Sequence, residues 1–155
     1  MDLGACLVSD SLVFEVPLPP KQLSSNRSHD HWRGRAAATA EYRQLVGWLA
    51  KEKAVAERWP VAICGVNRVS LVFGVKGSRK AGRYAPRDEA NAVAAFKAGF
   101  DGLVDAGLLV DDSRRYMELG EVVISPAVGP FVRVIVTPVA SSSESRVSSS
   151  EELLR

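Results

Sequence analysis

The sequence predicts a small α+β domain, a mixed sheet with two main helices packed on it, in the order β-α-β-α-β-β. Three observations lead there. Short stretches alternate apolar and polar residues, two longer stretches repeat apolar residues every three or four positions, and prolines and glycines separate them. A chain of 155 residues suits one such domain with a single core.

Each element has its own warrant. In LVFEVPL, residues 12–18, Leu12, Phe14, Val16 and Leu18 fall on one side of an extended chain, and Pro17, Pro19 and Pro20 end the strand because proline cannot donate to a sheet ladder. Residues 21–35 are polar and read as a loop. Residues 36–56 read as a helix on Ala38, Tyr42, Leu45, Val46 and Leu49, closed by Pro60. Trp48 and Trp59 are expected in core or helix-end packing. Residues 66–76 alternate Val69, Leu71, Phe73 and Val75 as a second strand. One further helix is expected over about 90–106, with Val93, Phe96, Phe100, Leu103 and Val104 inward and Gly107 at a left-handed C-terminal cap. Residues 121–125 and 131–137 read as a closing hairpin around PAVGP. The domain is expected to span 1–139. The tail 140–155 holds seven serines and little apolar content, and is expected to be disordered.

Composition excludes several classes. The hydrophobic share of 46% and charged share of 25% are those of an ordinary globular protein. The start MDLGACLVSD is acidic and lacks the basic and apolar regions of a secretory signal, and no stretch approaches the roughly 18 apolar residues of a membrane span. A cytoplasmic protein is expected. Cys6 and Cys64 make neither a disulfide framework nor a Cys-x-x-Cys clip. There is no P-loop, dinucleotide fingerprint or Ser-His-Asp order.

Charge is distributed unevenly. Residues 61–87 carry Arg68, Lys76, Arg79, Lys80, Arg83 and Arg87 without one Asp or Glu. Residues 88–118 then carry Asp88, Glu89, Asp101, Asp105, Asp111, Asp112 and Glu118 against Lys97, Arg114 and Arg115. Two adjacent solvated surfaces would give this pattern. So would a polyanion-binding loop beside a carboxylate site, the pair of features a metal-dependent nuclease needs.

The segment RDEANAVAAFKAGFDGLVDAGLLVDDS, residues 87–113, places an acid at a loop–helix junction and an acid pair beyond the helix. A straight helix of about 16 residues would be ~24 Å long, so Asp88 and Asp112 approach only if the chain folds back after Gly107. Spacing alone does not bring them together. The segment resembles the signature of RusA-type Holliday junction resolvases, in which Asp-x-Asp-Asn precedes a lysine-bearing helix that runs through Asp-x-Leu-x-x-Ala-Gly into Asp-Asp-Ser. The matching residues are Asp88, Asn91, Lys97, DGLVDAG at 101–107 and DDS at 111–113. The spacing is similar to that of actinobacterial and actinophage members. LPPKQLSSNRSHDHWRGR, residues 18–35, resembles the family's proline-led strand and loop, and EYRQL at 41–45 is a weaker match. The resemblance covers about residues 12–137.

It implies a homodimer that binds four-way junction DNA and makes paired, symmetric, Mg²⁺-dependent nicks, with Mn²⁺ as a substitute metal. Asp88, Asp112 and Asp111 carry over as metal ligands, and Asp88, Lys97 and Asp112 as catalytic residues. Lys97 would stand near the scissile phosphate; otherwise it is a surface cation paired with Asp101 at i, i+4. Expected DNA contacts are Asn26, His31, Trp32, Arg33, Arg79, Lys80, Arg83 and Arg87. His29 and His31 lack a further His or Cys to complete a metal site.

One position departs from the pattern. The family's second aspartate falls on Ala90, which has no oxygen to offer a metal. Three explanations stand: Glu89 substitutes after a one-residue shift, the chain is a non-catalytic junction-binding member, or Ala90 is a deliberately introduced substitution. Outside the family, a domain whose partner is another protein would also account for the basic loop as a solvated surface.

Overall fold

A computed structural model describes residues 10–24, 32–62, 65–75, 88–126 and 129–139. Strand β1 is Leu12–Val16, and a short 3-10 turn at Lys21–Leu23 follows it. Helix α1 is Trp32–Ala56 and strand β2 is Val66–Gly74. Helices α2, Glu89–Ala95, and α3, Lys97–Asp105, lead to strands β3, Met117–Ser125, and β4, Phe131–Val139. The fold is α+β, with three helices on a mixed four-stranded sheet of order β1-β4-β2-β3.

Alternation sets the face of the sheet. The registers align Leu12, Val136 and Val69 in one row, Phe14, Val134 and Leu71 in the next, and Val16, Val132 and Phe73 in the third. All nine are buried. Side chains two apart share a face, so these rows form one apolar surface, and the helices cover it. The opposite face carries pairs such as Glu15–Arg133, at 3.1 Å.

The expected hairpin of the last two strands is corrected. β3 does not pair with β4; it lies parallel to β2, while β4 runs antiparallel between β1 and β2. The α2–α3 crossover returns the chain alongside β2, the connection a parallel pair requires. Other boundaries shift as well. α1 begins at Trp32, inside the stretch read as loop, and β2 ends at Gly74. Trp59 packs half-buried on the core, but Trp48 is 62% exposed and Leu45 is also at the surface.

The single helix expected over 90–106 is two helices, broken at Phe96. This residue leaves helical geometry at φ −84, ψ 2, and its N–H is shared between the carbonyls of Ala92 and Val93. Its ring is fully buried and meets Tyr42, Phe73 and Phe100 edge to face at centroid distances of 6.1, 6.3 and 5.1 Å. The ring also lies against Gly99, where an added Cβ would stand 2.5 Å from the ring tip. A buried aromatic nexus therefore outweighs one turn of regular helix.

The end of α3 is as the sequence predicts. Gly107 sits at φ +78; its N–H reaches Val104 O, and the Leu108 N–H reaches Leu103 O, both at 3.0 Å. That bonding closes the helix and turns the chain back, with Leu103 and Leu108 both buried. α1 and α3 cross in backbone contact. A Cβ on Gly102 would stand 2.6 Å from the Arg43 carbonyl oxygen and 2.9 Å from the Gly47 nitrogen. Gly102→Ala is therefore expected to destabilise the fold by about 1–3 kcal/mol despite alanine's better helix propensity. Gly34→Ala on α1, where a Cβ meets nothing within 4 Å, is expected to be neutral or stabilising by up to about 1 kcal/mol. Urea unfolding of the two variants side by side checks the contrast.

Candidate carboxylate and nucleic-acid site

The acidic segment is assembled by three local devices. Asp88 is the N-cap of α2: its Oδ1 accepts from the Asn91 N–H at 2.8 Å, and its Oδ2 accepts from Asn91 Nδ2 at 2.7 Å. The side chain is thereby fixed at the helix start, where the macrodipole favours a negative charge. The second device is the turn after Gly107. Asn67 Nδ2, from the start of β2, donates to the Leu108 carbonyl at 3.2 Å, and the Ala62 N–H donates to Gly107 O at 2.8 Å. Leu108 and Leu109 are buried, which anchors the returning chain. The third device is ionic. Asp111 Oδ1 accepts from the Asp112 N–H at 2.8 Å, and Lys97 Nζ donates to Asp112 Oδ2 at 2.9 Å.

The chain beyond Gly107 does fold back, and it brings Asp112 to the first residue of α3. Lys97 pairs there rather than with Asp101, although Asp101 and Asp111 add to the field on its ammonium. That hydrogen bond and the neighbouring acids hold the Lys97 ammonium above its ordinary range, and the same bond holds the Asp112 carboxyl below its own.

The expected Mg²⁺ centre does not fit these side chains as they stand. Ala90 supplies no oxygen, both Asp88 oxygens are engaged by Asn91, and Asp112 is neutralised by Lys97. Among the described residues no three His, Cys, Asp or Glu side chains are grouped as a metal would need. Ala90 is exposed and lines an open groove between α2 and β3, with Glu89, Val93 and Leu119 among its walls. The groove leaves room for a longer side chain at position 90.

Of the expected DNA contacts, Trp32 and Arg33 are described. They lie on the first turn of α1 rather than in a loop. Trp32 is 69% exposed, and the Arg33 guanidinium stands 5.2 Å from its ring centroid. Asn26, His31, Arg79, Lys80, Arg83 and Arg87 lie outside the described residues, as do both cysteines and the 140–155 tail. The sequence reading gave no role to a second ion pair on the same helices. Arg43 on α1 forks onto both Asp105 oxygens at 2.6 and 2.7 Å and joins α1 to the last residue of α3. Its signal was an unassigned acid in DGLVDAG, but the partner was visible only in three dimensions. Among the described residues no helix is long and apolar enough to cross a membrane. No protein-family model and no curated protein matches this chain.

The pH response of Asp112 follows from the direction of its shift. Its carboxyl titrates lower in the folded chain than its ordinary 3.8, so its contribution is complete above that value and is lost as the pH falls through the depressed one. Lys97→Met is expected to move the Asp112 titration back up toward the ordinary value. The stability change should stay within about 1 kcal/mol, because the pair is largely solvated. Carboxyl ¹³C chemical shifts followed against pH read both titrations.

Proposed function

We propose that this chain is a RusA-type protein of four-way DNA junctions, built on an endonuclease scaffold whose carboxylate centre lacks one oxygen donor. In this form it holds a junction rather than cutting it. The observation that carries the reading is the Lys97–Asp112 contact at 2.9 Å. It joins the lysine and the Asp-Asp-Ser end of the resembling segment, two pieces that lie 15 residues apart in sequence.

The start of α1 supports a nucleic-acid role on physical grounds. Its first turn carries Arg33 and Arg35 and no acid. Cations at a helix N-terminus oppose the macrodipole, and a phosphate placed there relieves both. Trp32 adds an exposed π-face on which an unpaired base can stack, with Arg33 beside it. The basic segment 76–87 runs in sequence directly into Asp88, and its cations suit further phosphate contacts.

In a complete centre, a bound Mg²⁺ would supply activation of water and offset charge on the phosphate oxygens. The chain's own groups contribute what they hold now: Asp88 fixed at the head of α2, Asp112 on the returning segment, and Lys97 as the cation paired with Asp112. With Ala90 in place, no metal-dependent step follows from them.

The test has two parts. The Ala90 chain is expected to bind a four-way junction in preference to a linear duplex, with strong salt dependence, and to nick it poorly. Ala90→Asp is expected to raise Mg²⁺-dependent nicking by a factor on the order of 100. A variant that binds junctions but still fails to nick would sink the catalytic assignment. Absence of junction preference in both chains would sink the DNA reading and favour a protein partner for the basic segment.

A further inference from the structure

We propose, resting on the nucleic-acid reading of this chain, that the turn at residues 113–116 binds the phosphate backbone of a DNA strand through Arg114 and Arg115. The turn follows directly on Asp111 and Asp112. The Tyr116 N–H and the Met117 N–H both donate to the Ser113 carbonyl at 2.9 Å and close it. Arg114 and Arg115 are therefore the two central residues of a β-turn and stand at its tip. Both are exposed. The turn is also fixed to the sheet. The Asn67 N–H donates to the Tyr116 carbonyl at 3.1 Å, and the Asn67 side-chain amide holds the Leu108 carbonyl at 3.2 Å. One residue of β2 thus grips both ends of the segment 108–116. Among the described residues β3, into which the turn leads, is an edge strand of the sheet.

The charges at this tip are uncommitted. Arg43, Lys53, Arg68, Lys97 and Arg133 are each held by a carboxylate at 3.3 Å or less. Neither Arg114 nor Arg115 forms an ion pair with a described residue, although Asp111 and Asp112 immediately precede the turn. Asp112 is taken by Lys97, and Asp111 accepts from the Asp112 backbone. The Arg115 guanidinium instead lies 5.4 Å from the centroid of the half-buried Tyr116 ring. A guanidinium beside a ring keeps its in-plane N–H donors for other acceptors. Arg33 stands beside Trp32 in the same way at the head of α1.

Phosphate is the ligand that this chemistry selects. The planar guanidinium fork matches two phosphate oxygens. A strand drawn up to Asp111 and Asp112 meets like charge, and Lys97 is already neutralised by Asp112. Cations two and three residues beyond Asp112 offset that repulsion. Two residues span at most about 7 Å, so a phosphate held at the tip sits close beside the acids rather than on a remote surface.

The test separates this turn from the junction reading. Binding of the full chain to a four-way junction and to a linear duplex is followed by fluorescence anisotropy between about 0.05 and 0.2 M salt. Arg114→Gln/Arg115→Gln is expected to flatten the slope of log affinity against log salt by about two, which corresponds to roughly 60-fold weaker binding at about 0.1 M. Arg114→Lys/Arg115→Lys keeps both charges and is expected to keep the slope, a rescue that a purely structural role for the turn would not give. Lys51→Gln, which removes an exposed charge from α1, is expected to leave the slope nearly unchanged. Circular dichroism checks that each variant is folded. An unaltered slope in the double glutamine variant overturns the proposal while the junction reading stands. So does a lysine variant that loses the slope, or a fall matched charge for charge by Lys51→Gln. Equal binding of junction and duplex, with the slope difference intact, overturns the junction reading alone. A chain that binds neither DNA overturns both.

Discussion

The Phe96 ring is the constraint on which the rest of the molecule depends. It is the meeting point of three elements: Tyr42 from α1, Phe73 from the inner strand β2 and Phe100 from α3 all present edges or faces to it. A residue this deeply shared cannot also keep ideal helical geometry where two helices must lie on a twisted sheet. The backbone yields at that point, and α2 and α3 become separate rods. The break has a chemical consequence, because the next residue is Lys97. It begins α3 instead of sitting in the middle of a long helix, and its side chain extends toward the segment that returns after Gly107.

Three of the acids between residues 88 and 112 are held by separate contacts. Asp88 is stabilised by a helix terminus and by Asn91, Asp105 by Arg43, and Asp112 by Lys97 and its own backbone N–H. Each of these three carboxylates is thus balanced locally by a different device. An aspartate at position 90 would stand exposed in the first turn of α2, where water and the helix terminus both favour its charge. Within that balance, Lys97 supplies the positive charge beside Asp112.

What could be read from the sequence divides along physical lines. Alternation in 12–16, 69–73 and 132–136 fixed which side chains point inward, because period-two alternation depends only on local backbone geometry. It could not say which strand lies beside which. The short PAVGP connection therefore suggested a hairpin that the crossover through α2 and α3 prevents. The apolar stripe of 93–104 persisted through the Phe96 break because both helices present the same side to the core, so periodicity saw one helix. Gly107 was legible because a positive φ has a single-residue signature. Trp48 was misplaced by reading an aromatic as core, although its helical angle sets it opposite Val46. In the site, the motif singled out residues 88, 97 and 112, but the Lys97–Asp112 contact depends on a turn anchored by Leu108, Leu109 and Asn67, and no local pattern encodes that reach.

Helix α1 shows how one element can serve three surfaces without conflict. Its inward face is apolar, with Gly47 permitting the close crossing with α3 at Gly102. Its first turn is basic and aromatic, and its outer stripe carries the exposed Trp48. These surfaces are separated by angle and by height along the rod, so a change to one leaves the others intact.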